Sequence, residues 1–388
     1  MKTFARGLNF MGQLGIGNKN QNLQKFTEIE QLSGKNVSQL EAHFTQSYCR
    51  LDDGQILHWG YVLDSLTTTR VLNYYKKSPK ISKLWQKYSF FGKTLGLRLG
   101  EWQMGLLNKE QIMKHQPNNI SIGGSFIMYT TDKGVAYGMG ENYKGQLGLG
   151  NNKFQFTFEP IQVPNNEKIK QVSAGFQHSV LVTVDFYNNP MRMIIKNEKI
   201  KKVSSGFHHS IYLCESGNLY GLGFNSKGQC GTSNLNRLDC EDFQKIFTNL
   251  EDDEYITDIA SGKSHNVFIT NKGGIYMFGA VKNYQLAREQ SFYIDICSPT
   301  EVHLKLEDGE IPIKVKANFD RSAVLTNFGN AYVWGGESQE KICLENHYCI
   351  ENIKKSMAAD LGISQDKIIV KDVGLGYLHT LVSLQLKQ

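Results

Sequence analysis

The sequence of 388 residues predicts an all-β fold: a seven-bladed β-propeller, closed between its N- and C-terminal strands, with one irregular insertion. Three observations predict it. Glycines fall on a fixed ruler, the residues between them pattern as β-hairpins, and the two chain ends carry complementary halves of one hairpin. In "VSSGFHHSIYLCESGNLYGLG", Gly206 is followed eleven residues on by Gly217 and seventeen on by Gly223. Gly262 gives Gly273 and Gly279 in the same way, and Gly123 gives Gly134 and Gly140. Asn318 takes the anchor before Gly329 and Gly335, and His43 takes it before Gly54 and Gly60. Five segments on one gapless ruler are an internal repeat.

Each segment reads as strand, turn, strand. The run after the anchor is rich in Ile, Val, Tyr and Leu, which favour strands. The turns "DDGQ", "TDKGV", "ESGN", "NKGG" and "NFGN" place a glycine where a tight hairpin needs positive φ. The last glycine, in "HWG" or "VWG", suits close backbone approach or the start of the next turn. A lone hairpin of this size is marginal in water, so the repeats must stack.

Two anchors are incomplete. Gly175 opens "GFQHSVLVTVD", and the next anchor follows after 31 residues, against 52–58 for the regular intervals. A trimmed blade is expected there, its hairpin "SVLVTVDFYNNPMRMII" turning at Asn188–Pro190. Gly376 would need a closing glycine beyond residue 388, while "MKTFARG" supplies a strand ending in Gly7. Pairing the last strand with the first closes a circle and removes exposed sheet edges. The anchors His43, Gly123, Gly175, Gly206, Gly262, Asn318 and Gly376 count seven blades in a single domain spanning 1–388.

"VSAGFQHSVLV", "VSSGFHHSIYL", "IASGKSHNVFI" and "VGLGYLHTLVS" resemble the A-G-x-x-H-S/T core of the regulator of chromosome condensation repeat family. "YGMGENYKGQLGLGNN" and "GLGFNSKGQCGTSN" resemble its W-G-x-N-x-x-G-Q-L-G-x-G segment. The resemblance covers the chain except residues 61–118 and implies seven four-stranded blades sharing ring closure between the termini. It also implies a repeat histidine, met here as His178, His209, His265 and His379. Gln46, Phe126 and Arg321 replace it in the other blades. The G-Q-L-G element is degraded after Gly60, Gly279 and Gly335, so those blades should be least regular.

Gly175, His178, Gly206, His209, Gly262, His265, Gly376 and His379 are therefore structural candidates. A catalytic group is needed once, whereas these recur per blade, each histidine bonding backbone that would otherwise be buried unpaired. "GENYKGQ" and "GFNSKGQ" have phosphate-loop spacing but lack the Lys-Ser/Thr that would reach phosphates and magnesium. "CLENHYC" brings together Cys343, His347 and Cys349 without a CxxC pair. No catalytic, cofactor or metal residue is assigned. Seven scattered cysteines indicate a reducing compartment. The N-terminus lacks a secretory core, and no apolar run reaches membrane-spanning length.

Residues 61–118 do not repeat. From Arg70 to Arg98 there are eight basic residues and no acid, in a chain of net charge +6, so the rest nets −2. The residues expected to bind a partner are Tyr74, Tyr75, Lys76, Lys77, Lys80, Lys83, Trp85, Lys87, Tyr88, Phe90, Phe91, Lys93, Arg98 and Trp102. Basic and aromatic side chains so mixed suit an interface, and a surface insertion packed on the flank is the plainer alternative. The expected function is a non-enzymatic interaction module, a structural or accessory subunit of a larger intracellular complex. Its partners are other protein subunits, with anionic lipid near a membrane second and nucleic acid disfavoured. The alternative is guanine-nucleotide exchange on a small GTPase, the activity of the family's namesake. The charge leans towards a mitochondrial inner-membrane complex, with cytosolic, ciliary and nuclear sites open.

Overall fold

The hairpin strands on the glycine ruler form in every segment, and further strands flank most of them. The computed structural model describes residues 1–9, 12–17, 22–43, 46–60, 105–106, 117–184, 195–232, 239–280, 295–336 and 350–387. Blade one pairs Val37–Ala42, Gln46–Leu51, Ile56–Gly60 and Gly105–Leu106. Blade two pairs Pro117–Ile122, Phe126–Thr131, Ala136–Gly140 and Gln155–Pro160. Blade four pairs Ile200–Ser205, His209–Cys214, Leu219–Phe224 and Asp239–Ile246. Blade five pairs Ile256–Ser261, His265–Thr270, Ile275–Gly279 and Ile296–Glu301. Blade six pairs Pro312–Asn318, Arg321–Thr326, Ala331–Gly335 and Ile350–Asn352.

Blade three corrects the count of seven four-stranded blades. Among the described residues its sheet has two strands, Ile169–Ala174 and Ser179–Thr183, while the other six sheets have four each. The return half of the expected hairpin, residues 185–194, lies outside the described residues. The degraded loops after Gly60, Gly279 and Gly335 also lie outside them, and fourth strands of two, six and three residues follow.

The final blade is made from both ends of the chain. Ile368–Leu375 pairs with His379–Leu386, which pairs with Lys2–Leu8, which pairs with Asn22–Glu28. The register runs from Lys2 opposite Leu384 to Gly7 opposite His379. The closing glycine meets two demands at once. Gly7 has φ 114°, and a Cβ on it would lie 2.3 Å from the Leu378 carbonyl oxygen. No L side chain fits that backbone at that distance.

Apolar cores lie between blades, one at each junction. Tyr48 and Ile56 of blade one meet Ile120, Ile127 and Tyr129 of blade two. Phe126 and Met128 meet Ile169 and Val172, and Val182 meets Val203 and Tyr212. Blades four and five share Ile211, Leu213, Ile259 and Phe268; blades five and six share Val267, Met277, Val324 and Trp334. Blades six and seven share Val333, Val370 and Phe4, and Ala5, Leu381, Leu40 and Cys49 complete the circle to blade one. A short helix, Ile353–Leu361, is capped by Asn352, whose side-chain oxygen accepts from the Lys355 amide. It buries Ile353 and Met357 in the core between blades six and seven.

Candidate functional site

The repeat histidines are clasps between blades. Each anchor glycine donates its amide to the carbonyl of the residue three on: Gly175 to His178, Gly206 to His209, Gly262 to His265, Gly376 to His379. The imidazole then lies over the glycine, and its Nε2 reaches the residue that follows the equivalent position in the next blade. His178 meets Ser210 Oγ at 3.0 Å, His209 meets Asn266 Oδ1 at 2.8 Å, and His265 meets Ser322 Oγ at 2.8 Å. His379 meets Ser47 Oγ at 2.9 Å and so joins the last blade to the first. The rings therefore bond the neighbouring blade's side chains, rather than backbone as the sequence suggests. Asn266 Oδ1 only accepts, so His209 carries its proton on Nε2. Arg321 does the same work in blade six, donating to the Gly376 and His379 carbonyls and to Thr380 Oγ1 at 2.8–3.2 Å.

Burial makes these imidazoles hard to protonate. His209, His265 and His379 are pushed down to about 3 by loss of water, as is His43 at the anchor of blade one. Unfolded, each would titrate near 6.5, so the unfolded chain binds protons that the fold refuses. The stability they contribute is complete above that pH and is lost as pH falls from 6.5 towards 3. The expected slope is about 1.4 kcal/mol per pH unit for each histidine. Urea midpoints measured between pH 7 and 5 should fall steeply, and His265→Gln should flatten the fall.

A polar channel of about 370 Å³ runs where the inner strands of all seven blades converge. Four residues before each anchor stand Gln39, Asn119, Gln171, Lys202, Asp258, Lys314 and Asp372, and most reach the next blade. Gln39 donates to the Ile120 carbonyl, and Gln171 both donates to and accepts from Val203. Lys202 pairs with Asp258, which accepts from the Val315 amide at 3.0 Å. Lys314 pairs with Asp372 at 2.9 Å, and Asp372 accepts from the Leu40 amide at 2.7 Å. Lys316 adds a second ammonium at 2.9 Å from Asp372. Burial opposes both charges, yet Lys316 and Lys314 hold the Asp372 carboxyl below its usual range, and Asp372 and Glu41 hold Lys316 above its own. Asn119 is one methylene shorter than Gln39 and Gln171, and its Oδ1 finds no partner among the described residues.

An aromatic crown covers one mouth of the channel. The residue after the anchor is aromatic in five blades, Phe44, Phe176, Phe207, Phe319 and Tyr377, of which Phe44 lies outside the described residues. Phe176 stacks on Phe207 with centroids 4.6 Å apart, and Phe319 meets Phe207 and Tyr377 edge-on at 5.1 Å. His43 packs on Phe319 at 4.8 Å, and the exposed Lys263 ammonium sits 5.8 Å from the Phe207 ring. Phe319 has φ 49°, a conformation costing an aromatic residue about 1–3 kcal/mol. Its carbonyl accepts from the Lys263 amide, and its amide donates to Asn318 Oδ1 at 2.9 Å. Phe176, Phe207 and Tyr377 are half-buried, which leaves ring surface at the mouth. The crown was not assigned from the sequence, although its members share one position on the ruler.

The eight structural candidates all lie at the blade junctions described. The fourteen expected partner-binding residues, Tyr74 to Trp102, lie outside the described residues, as do Cys343, His347 and Cys349. The described cysteines, Cys49, Cys214, Cys230, Cys240 and Cys297, are free thiols. No group of three or more metal-ligating side chains occurs among the described residues. In the two glycine loops the amides bond inwards. Asn142 Oδ1 accepts from Leu147 and Gln146 Oε1 from Lys144; Asn225 and Gln229 repeat this for Cys230 and Lys227.

A family model for the regulator of chromosome condensation (RCC1) repeat matches residues 133–182, and a second model of that repeat matches residues 200–229. The chain is 29% identical to the ultraviolet-B receptor UVR8 of Arabidopsis thaliana over 237 residues, 56% of this chain and 52% of that protein. It is 29% identical to the mitochondrial RCC1 domain-containing protein RUG3 of the same plant over 196 residues, 50% of this chain and 35% of that one. A secretion-regulating guanine nucleotide exchange factor of Bos taurus is 26% identical over 255 residues, 62% of this chain and 47% of that one. The chain thus spans about half or less of these relatives' lengths. Yeast RCC1, solved bound to Kap60, superposes with TM-score 0.70 over 100% of this chain and 89% of its own, at 15% identity, a likeness of fold.

Proposed function

Because this chain belongs to the regulator of chromosome condensation repeat family, we propose that it is a non-enzymatic protein-interaction module. It serves as a scaffold or accessory subunit of a larger intracellular complex. The observation that carries this reading is the aromatic crown: part-exposed rings at the channel mouth, fixed by a strained Phe319, are the kind of anchor that dominates interfaces. The repeat histidines support it, because burial and inter-blade bonds keep them neutral and away from solvent. The basic-aromatic residues Tyr74 to Trp102 are proposed as a second contact, made with protein and, near a membrane, with anionic lipid. The compartment we favour is the mitochondrion, at an inner-membrane complex, on the likeness to RUG3 and the positive net charge. No helix among the described residues is long and apolar enough to cross a membrane.

The second reading, nucleotide exchange on a small GTPase, is favoured by the likeness to the secretion-regulating exchange factor. One pair of experiments separates the two. The native chain is expected to co-purify in a stable high-mass assembly, weakened by Phe207→Ala and by deletion of residues 70–100. Purified protein is expected to leave fluorescent nucleotide release from a GTPase panel at its spontaneous rate. Accelerated release, or a chain that purifies alone, would overturn the proposal.

A further inference from the structure

The face opposite the crown, where the hairpin turns lie, carries a patch that the fold does not require. In six blades the same backbone bond fixes the residue just before the inner strand. Its carbonyl accepts from the first turn of the neighbouring hairpin: Asn36 from Asp52, Lys168 from Val184, Lys199 from Glu215, Tyr255 from Asn271, Ile311 from Asn327 and Lys367 from Lys387. Four of these residues are polar, as a solvated position should be. In blades five and six they are Tyr255 and Ile311, which are 55% and 43% exposed. Ile313 and Phe328 beside them are 57% and 41% exposed. A Cβ on Gly273 would lie 3.6 Å from Ile311 Cγ2, and one on Gly309 would lie 3.7 Å from Phe328 Cζ. The turn of one blade and the loop of the next thus form one continuous strip.

The rim of that strip is acidic. Glu251, Asp252, Asp253, Glu307 and Asp308 are exposed in the two loops. In these loops and their turns there are two ammoniums against five exposed carboxylates: Lys305, and Lys272, which is already paired with Glu251 at 2.6 Å and with Asp253. Blade four has Lys196, Asn197 and Lys199 in the matching loop. Both acidic loops are held rigid by the same device. Glu254 accepts from Thr270 Oγ1 and Glu310 from Thr326 Oγ1, while Asn271 and Asn327 donate to the carbonyls of Asp253 and Gly309 at 3.1 Å. A preformed surface loses less entropy on binding than a loose one.

We propose that this strip docks a basic amphipathic segment of a partner protein: an apolar anchor seats between Tyr255, Ile311, Ile313 and Phe328, and lysine or arginine side chains on either side meet the carboxylates. The charge excludes nucleic acid and anionic lipid from the same strip. This rests on the interaction-module reading and names the partner chemistry of one face. The test uses the full chain and a short fluorescent peptide with a central Phe-Leu pair flanked by lysines, followed by anisotropy. Binding is expected, weakening with added salt. Phe328→Ser with Ile313→Ser should weaken it at least about tenfold, and Asp252→Lys with Asp308→Lys should do the same. Unchanged thermal unfolding of both double variants shows that the wheel is intact. Failure of the peptide to bind overturns the proposal, as does equal binding of a glutamate-flanked peptide, unchanged affinity in the variants, or capture of anionic vesicles by this face. Each of these outcomes leaves the crown and its co-purification test untouched.

Discussion

Gly376→Ala is expected to destabilise the fold by about 3 kcal/mol, read as a fall in urea midpoint, with much of the loss recovered when His379 is also replaced. The three atoms nearest a Cβ at Gly376 all belong to the His379 ring, at 2.1, 2.2 and 2.7 Å. The ring cannot withdraw, because Nε2 is bonded to Ser47 in blade one and the site is fully buried. The same substitution at Gly206 should cost as much but recover less. There the new carbon meets His209 Cε1 at 2.2 Å and also the Gly262 carbonyl oxygen at 2.4 Å, which belongs to backbone of the next blade. A double-mutant cycle with His→Ser at each site measures the difference. The coupling expected for Gly376 with His379 is about 1–2 kcal/mol, larger than for Gly206 with His209. Equal and additive losses at both sites would show that the ring is not what excludes the side chain.

That prediction explains a pattern in the repeat. Glycine holds the anchor in the five blades whose third following residue is a ring: Phe126, His178, His209, His265 or His379. A Cβ on any of these anchors would fall 2.1–2.2 Å from that ring. Where the residue is Gln46 or Arg321, the anchor is His43 or Asn318 instead. The two departures are therefore one change each. Asn318 uses the freedom by donating to the Ala42 and Leu375 carbonyls across the channel.

The architecture was legible because its constraints are local. Positive φ at Gly217 or Gly273, and close approach at Gly223, are set by a few neighbouring atoms and leave glycine as their mark. The trimmed blade showed as a short interval between Gly175 and Gly206. The partners of the histidines were less legible, since each contact spans 32 to 57 residues, or the closure of the ring, and ends on a Ser or Asn of ordinary appearance. The channel belt and crown sit at fixed offsets from the anchors, so aligning the repeats in columns would have exposed Lys202, Asp258, Lys314 and Asp372 as a charged series. The helix at 353–361 left a weak signal: nine residues with one side-chain cap, stabilised by packing Ile353 and Met357.

Removal of residues 1–8 should abolish cooperative folding, and joining the two ends should strengthen it. The first strand lies between His379–Leu386 and Asn22–Glu28, so its loss strips one strand of a partner on each side. It also empties the places of Phe4 and Ala5, which are 2% and 0% exposed in two different inter-blade cores. Loss of a buried Phe side chain alone costs about 3–5 kcal/mol. The strand left bare, "HTLVSLQL", is apolar and would recruit other chains. The expected result is a truncated protein recovered as aggregate, or one whose urea transition is broad and begins at low denaturant. Conversely, a permuted chain with Lys387 linked to Met1 by a short flexible turn, and opened at the exposed hairpin Glu215–Gly217, turns closure of the whole ring into closure of one hairpin. Lys2 already stands opposite Leu384, so the turn spans a short gap. Loop-closure entropy falls with the logarithm of loop length, so the midpoint should rise modestly rather than greatly. A truncated chain that unfolds at the parent midpoint would mean that the wheel is held by its blade junctions alone, with the terminal strand an ornament to them.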